Sequence, residues 1–281
     1  MESLERYTQA DLRTVDLARF NAINAEHEKN ELSEKYRFIP TTRVVNVLEE
    51  MGWYPVRAAE MSVRNESRSG FQKHMIRFRQ NGTTSIIQKD QIFPEIVLTN
   101  SHDGLASFQI MAGLYRVICS NGLTVADSMF ETHRIKHMGF AERYVEEAVE
   151  SVMESIPRIA DHVNEFREIE LTKEERGIYA MAALSAKYGE EELQKKEFRI
   201  DRILMPLRSA DQAPTLWHTF NTVQEKLIKG GRYAIKTDPD FPKYKTTVKA
   251  KEVKSISENV RINKALWMLT EKMAELKRAA A

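Results

Sequence analysis

Residues Pro94–Gly104 read PEIVLTNSHDG. The first seven are apolar and β-branched enough to form a buried strand, Pro94 to Asn100. The strand then stops in Asn100-Ser101-His102-Asp103-Gly104. Sixteen residues on, the run LYRVICSNGL ends in a second polar break, Ser120-Asn121-Gly122. Asn, Ser, Asp and Gly are what turns need, for side-chain hydrogen bonds to the backbone and for positive φ. A histidine beside an aspartate also suits a metal or a general base. Adjacent side chains on extended backbone point to opposite faces, however, so His102 and Asp103 form no dyad by themselves. We favour the turn, with Asp103 paired to Arg116, a cation in an apolar run that needs a partner if buried.

Working outward, Thr41 to Met51 predicts a helix with Val44, Val45, Val47, Leu48 and Met51 on one stripe, ended by Gly52. Trp53 to Val63 and Phe71 to Arg79 read as strands, and Asn81-Gly82 as a turn. Within the second strand His74, Ile76 and Phe78 alternate with Lys73, Met75, Arg77 and Arg79, which predicts an apolar face and a cationic one. Ser107 to Met111 is a fourth strand. Ala112 to Ser120 reads as a short helix ending at Asn121-Gly122 or as a strand entering an Asn-Gly hairpin, with the helix favoured, and Phe130 to His137 as a further strand.

From Ala141 the period becomes helical. Pro157 is expected to break or kink the first helix. Thr172-Lys173-Glu174-Glu175 is a capping box for a helix that stops at Gly189. Leu216 to Leu227 and about Asn259 to Lys277 predict two more. Arg232 to Lys254 shows no periodicity and reads as a Lys-rich loop. The expectation is an α+β fold: an N-terminal arm (1–35), a core rich in antiparallel sheet packed against helices (36–140), and a mainly helical region (141–281).

The 281 residues carry 42% apolar and 30% charged side chains and a net charge of +1. No run approaches the ~18 apolar residues of a membrane span, and the charged start is not a secretory signal. One cysteine, Cys119, leaves no disulfide framework or CxxC zinc site. These features predict a cytoplasmic protein. The charge is uneven. Arg57, Arg64, Arg68, Lys73, Arg77 and Arg79 crowd one segment, and Lys229 to Lys254 holds eight Lys or Arg against three acids. Cations on alternate strand positions, about 7 Å apart, suit the phosphates of an extended single strand. The candidate nucleic-acid contacts are Arg57, Arg64, Lys73, Arg77, Arg79, Lys229 and Arg232. Asn100, His102, Asp103, Arg116 and Asn121 form the polar structural motif.

Other signals are weaker. His133 and His137 stand at i, i+4, but with no intervening Glu and in a strand-like segment, so no metal is predicted. Cys119 reads as a buried, inert thiol. Gly230-Gly231 with Lys229 and Arg232 suits either a phosphate cradle or simple helix termination. There is no Walker loop, GxGxxG, GxSxG or HExxH, and no cofactor is predicted.

The segments YRFIPTTRVVNVL, KHMIRFR, PEIVLTNSHDG, GLYRVICSNGL, LWHTFNTVQEKLIKGG and RINKALW run in order from Tyr36 to Trp267. In these the chain resembles the YafZ/YfjQ-like family, domains of unknown function from prophages, plasmids and integrative elements. The resemblance implies a mobile-element setting, often beside anti-restriction genes, and no residue-level activity. The order of elements is also similar to that of single-strand annealing proteins, which bind DNA as oligomeric rings; this is likeness of layout only. The expectation is a non-enzymatic protein that binds single-stranded DNA, with a homo-oligomer fitting that layout. The competing readings are an anti-defence protein that binds a host restriction or CRISPR component, and a metal-dependent hydrolase built on His102 and Asp103.

Overall fold

A computed structural model describes residues 14–29, 32, 36–80, 92–116, 121–124, 133–135, 142–237, 241, 243 and 245–280. The predictions for Asn81-Gly82, Cys119 and His137 lie outside these residues, as does most of the expected strand at 130–137. The fold is α+β. The chain divides into two compact units between Arg158 and Ile159, later than the change of period at Ala141, because the helix that begins there runs on through the boundary.

In the first unit, helix α1 (Thr41–Glu50) leads into β1 (Trp53–Glu60), β2 (His74–Gln80), β3 (Ile92–Asn100) and β4 (Phe108–Arg116). These form an antiparallel meander. The outer edge of β4 is shared by β5 (Asn121–Thr124), which pairs with Gly113–Arg116, and β6 (His133–Ile135), which pairs with Phe108–Ile110. The helix expected over Ala112–Ser120 is therefore absent from its described part. Gln109–Arg116 pairs residue by residue with Ile92–Thr99. Both strands are covered on both faces, so their apolar run carries no period to separate strand from helix.

Register sorts the side chains. On one face His74, Ile76 and Phe78 stand beside Asn100, Leu98 and Ile96. Thr41 of α1 meets this face, its Oγ1 lying 2.8 Å from His74 Nε2. The opposite face holds Arg77, Arg79, Glu95, Val97 and Tyr115. Glu95, 1% exposed, accepts from both cations: Arg77 Nε on one oxygen, and Arg79 Nε on the other at 2.7 Å. The Arg79 guanidinium also lies 3.5 Å over the Tyr115 ring.

The second unit continues α2 (Glu142–Glu168). Pro157 does not break it. Pro157 and Met153 lie on the exposed side, where water can take the carbonyl that the missing N–H leaves unbonded. Helix α3 (Lys173–Tyr188) opens on the predicted capping box: Thr172 accepts from Glu175 N, and Glu175 from Thr172 N. After α4 (Glu190–Lys195), β7 (Glu197–Phe198), α5 (Ile200–Ile203) and α6 (Leu216–Lys229), the chain forms strands β8 (Gly231–Thr237) and β9 (Lys245–Ala250), then α7 (Ile256–Ala280). Trp267 of α7 meets Phe166 and Phe220 edge-on. Tyr179 bonds Thr270 at 2.8 Å, and Gln224 bonds Asn263 at 2.9 Å. The Lys-rich segment is thus not a loop but two paired strands, flanked by β7. The segment shows no clear alternation in sequence because β9, Lys-Thr-Thr-Val-Lys-Ala, buries only Ala250 and exposes two neighbouring residues, Lys245 and Thr246.

Glu95 is the shared acceptor of two guanidinium groups, that of Arg77 buried and that of Arg79 half-buried. Glu95→Ala is expected to cost about 3–5 kcal/mol in urea unfolding, the scale for stranding a buried charge. Arg79→Ala, which leaves the Arg77–Glu95 pair intact, should cost clearly less. Equal small losses from both would show that the cluster contributes little.

Candidate nucleic-acid interface

The cations chosen on β2 are not a solvent face. Arg77 is 3% exposed, and both Arg77 and Arg79 are committed to Glu95. Alternation placed them correctly opposite His74, Ile76 and Phe78, but that opposite face is itself covered. Charge reversal there would break the fold rather than a binding surface. Lys73 is half-buried, and burial lowers its pKa. Arg57 and Arg64 are exposed. In the second unit Lys229 pairs with Glu225 at 3.0 Å, and Arg232 donates to Thr247 O at 3.2 Å. Gly230, with φ at +77°, ends α6, and a Cβ there would collide with the Ala250 carbonyl, so helix termination and close packing account for the glycine.

The polar end of β3 is a buried structural knot. Asn100, Ser101 and His102 are 0% exposed. Thr41 Oγ1 lies 2.8 Å from His74 Nε2, 3.3 Å from His102 Nε2 and 3.1 Å from Asn100 Nδ2. His74 Nδ1 faces the Gln72 carbonyl at 3.1 Å, which only accepts, so that nitrogen carries the proton. Neutral His74 then accepts from the Thr41 hydroxyl, whose oxygen accepts from Asn100 and from His102. Burial pushes the His74 pKa down to about 4. Asp103 turns elsewhere. Its partner is Arg68, at 2.6 Å, and it accepts from Leu105 N at 3.2 Å as a turn aspartate does. The expected pairing with Arg116 is wrong: Arg116 stands opposite Ile92, at the other end of the sheet from Asn100. Asn121 pairs with Arg116 as the first residue of β5. Cross-strand neighbours along 92–99 and 109–116 leave roughly 20 Å between the two ends. His102 and Asp103 are thus not brought to one point. Among the described residues no three His, Cys, Asp or Glu side chains are grouped to hold a metal ion.

The second unit holds an open cleft of about 490 Å³ between the end of α3, β7, and the β9–α7 connection. Lys187, Lys196, Lys249, Lys251 and Lys254 line it, against Glu252 and Glu258. Tyr188 and Phe198 stack in its wall, centroids 5.1 Å apart at 28°. Lys196 Nζ lies 5.5 Å from the Tyr188 ring and pairs with Glu192. Lys187 Nζ donates to Leu227 O at 2.6 Å and to Tyr233 Oη at 3.2 Å. Its pKa is lowered to about 8 by burial, with Glu258 acting weakly the other way. The connection is pinned where Val253 N donates to Ile228 O at 2.8 Å. Sequence reading marked the Lys-rich segment but missed Tyr188 and Phe198. They lie ten residues apart in sequence on either side of the acidic α4, and only the fold brings their rings together.

The comparisons place this architecture among known sequences. The family model described as a domain of unknown function, DUF932, matches residues 30–267. The chain belongs to the DUF932 family. Two relatives from Escherichia coli (strain K12), the UPF0380 proteins YfjQ and YafZ, are each 32% identical over 250 residues, covering 89% of this chain and 86% of theirs. No solved structure matches. The DUF932 match spans both the knot at the end of β3 and the cleft of the second unit. No helix among the described residues is long and apolar enough to cross a membrane.

Buried neutral His74 makes the DUF932 fold acid-sensitive. The unfolded chain binds a proton near pH 6.5, while the folded site resists it down to about 4. Between these values the unfolded state holds the extra proton, so stability is full above pH 6.5 and falls as pH drops, by at most ~1.4 kcal/mol per unit. Urea midpoints at pH 7, 6 and 5 should show that fall. His74→Gln should flatten it, whatever its effect on stability at pH 7.

Proposed function

We propose that this chain is a binding protein rather than an enzyme, and that its ligand is single-stranded nucleic acid held in the cleft of the second unit. The observation that carries this reading is five lysines gathered around the Tyr188–Phe198 stack. Lysines attract phosphates and release counterions, and an aromatic face offers any unpaired base a stacking partner. A duplex keeps its bases stacked inside and gains only the charge contribution, so single strands are the favoured ligand. The mobile-element setting implied by the family resemblance agrees with a role in handling DNA. The binding face moves from the β2 cations to Lys249, Lys251 and Lys254, all exposed and none needed by the core.

Fluorescence anisotropy with a labelled 30-nucleotide single strand across salt concentrations tests this. The parent should bind at low salt, with affinity falling steeply as salt rises. Lys249→Glu with Lys251→Glu should weaken binding at least about tenfold and flatten the log–log salt slope by roughly 1.4, from ~0.7 per lost phosphate contact. Phe198→Leu should weaken binding with little change of slope, since stacking contributes ~1–3 kcal/mol per base. Absence of parental binding at low salt would reject the reading and favour a host protein as partner.

A further inference from the structure

We infer that Lys187 is the preferred acyl acceptor of this chain, a modification site that takes the acyl group of a small anionic donor, an acyl phosphate, within the cleft. The inference does not depend on nucleic-acid binding. Lys187 sits in the last turn of α3, half-buried, and is one of the residues that line the cleft, its Nζ 5.0 Å from the centroid of the Tyr188 ring in the cleft wall. Among the described residues no carboxylate pairs with it: Glu258, the acid whose charge it feels, is held by Arg261 at 2.6 Å. Lys196, Lys249, Lys251 and Lys254 add like charge around it, and Glu252 opposes them. The nearby Tyr188 and Tyr233 hydroxyls, 3.3 Å apart, bond one another and bring no negative charge.

Desolvation without a counter-ion favours the neutral amine, the form that attacks carbonyl carbon. With its pKa lowered to about 8, roughly a quarter of Lys187 is neutral at pH 7.5, against about one in a thousand for an ordinary lysine. The surroundings also select the donor. The lysines draw in its phosphate, and the wall of Tyr188, Phe198, Ala234 and Val253 accommodates a short acyl chain. In the reaction the Nζ lone pair attacks the acyl carbon and a C–N bond forms. The acyl C–O bond to phosphate breaks, phosphate leaves with the electron pair, and the proton released from nitrogen goes to solvent. The amide N–H that remains can still donate to Leu227 O, but the cleft loses one cation.

The folded full-length chain would be treated with acetyl phosphate from pH 6.5 to 9 and modification followed lysine by lysine by mass spectrometry. Lys187 should react at least about tenfold faster than Lys196 or Lys249 at pH 7.5, with a midpoint near 8, and should lose that advantage when the chain is unfolded in urea. A rate equal to or below those of the exposed lysines would overturn the inference and leave Lys187 as a cap on α6. An advantage that survives urea would overturn it too, because it would then owe nothing to the cleft.

Discussion

Glu95 constrains the first unit more than any other side chain. A carboxylate at 1% exposure has no solvent to neutralise it, so the fold must supply cations at fixed places. The β2–β3 register puts Arg79 directly across from Glu95 and Arg77 one diagonal away. Both guanidinium groups meet it, and Tyr115 of β4 closes over Arg79. A slip of one residue would carry Glu95 to the face of His74, Ile76 and Phe78, where no cation waits. The ionic cluster therefore specifies the pairing of three strands, which a uniformly apolar sheet would leave open. Its net contribution to stability is smaller than the loss on breaking it, because all three charged groups lost water in forming it.

The same register builds the knot at the end of β3. Once Glu95 fixes β2 against β3, His74 must lie opposite Asn100, and the start of α1 has polar partners waiting. Thr41 is the link between helix and sheet; with His74 neutral it donates once and accepts twice. LTNSHDG is polar because this corner is a hydrogen-bonded joint. His102 enters it from the strand end, and Asp103 leaves it to hold Arg68. The two residues that looked most like a catalytic pair divide their work between the inside and the rim of one turn.

Much of this was readable beforehand, and the failures share a cause. The first three strands, the capping box at Thr172 and the helices around Val149, Tyr179, Phe220 and Leu266 follow from period and end signals. The alternation in β2 sorted His74, Ile76 and Phe78 from Arg77 and Arg79 correctly. What it could not supply was that the second face is covered too, since a buried arginine and a solvated one are spelled alike. Glu95, sixteen residues away, was the missing sign, and only register connects it to Arg79. The end of β4 failed for the complementary reason: a strand buried on both faces has no alternation to read. Arg116 needs a partner in its apolar run, but antiparallel pairing sends it and Asp103 to opposite ends of the sheet.

The Lys-rich segment shows how the same kind of strand leads to a different outcome when no buried acid faces it. In β2 the cations point at Glu95 and become part of the core. Lys245 and Lys249 of β9 are exposed, as is Lys251 beyond it, and among the described residues only Lys245 of the three pairs with an acid, Glu197 at 2.6 Å. Gly230 makes this hairpin possible, because its missing side chain lets the end of α6 press against the Ala250 backbone. That contact brings Lys249 and Lys251 beside the end of α3, where Tyr188 and Phe198 already stack. Positive charge stays at an exposed surface here, while on β2 it is taken up by a carboxylate. The distribution of lysine along the chain is therefore a poorer guide to a binding face than the acids that do, or do not, lie across from it.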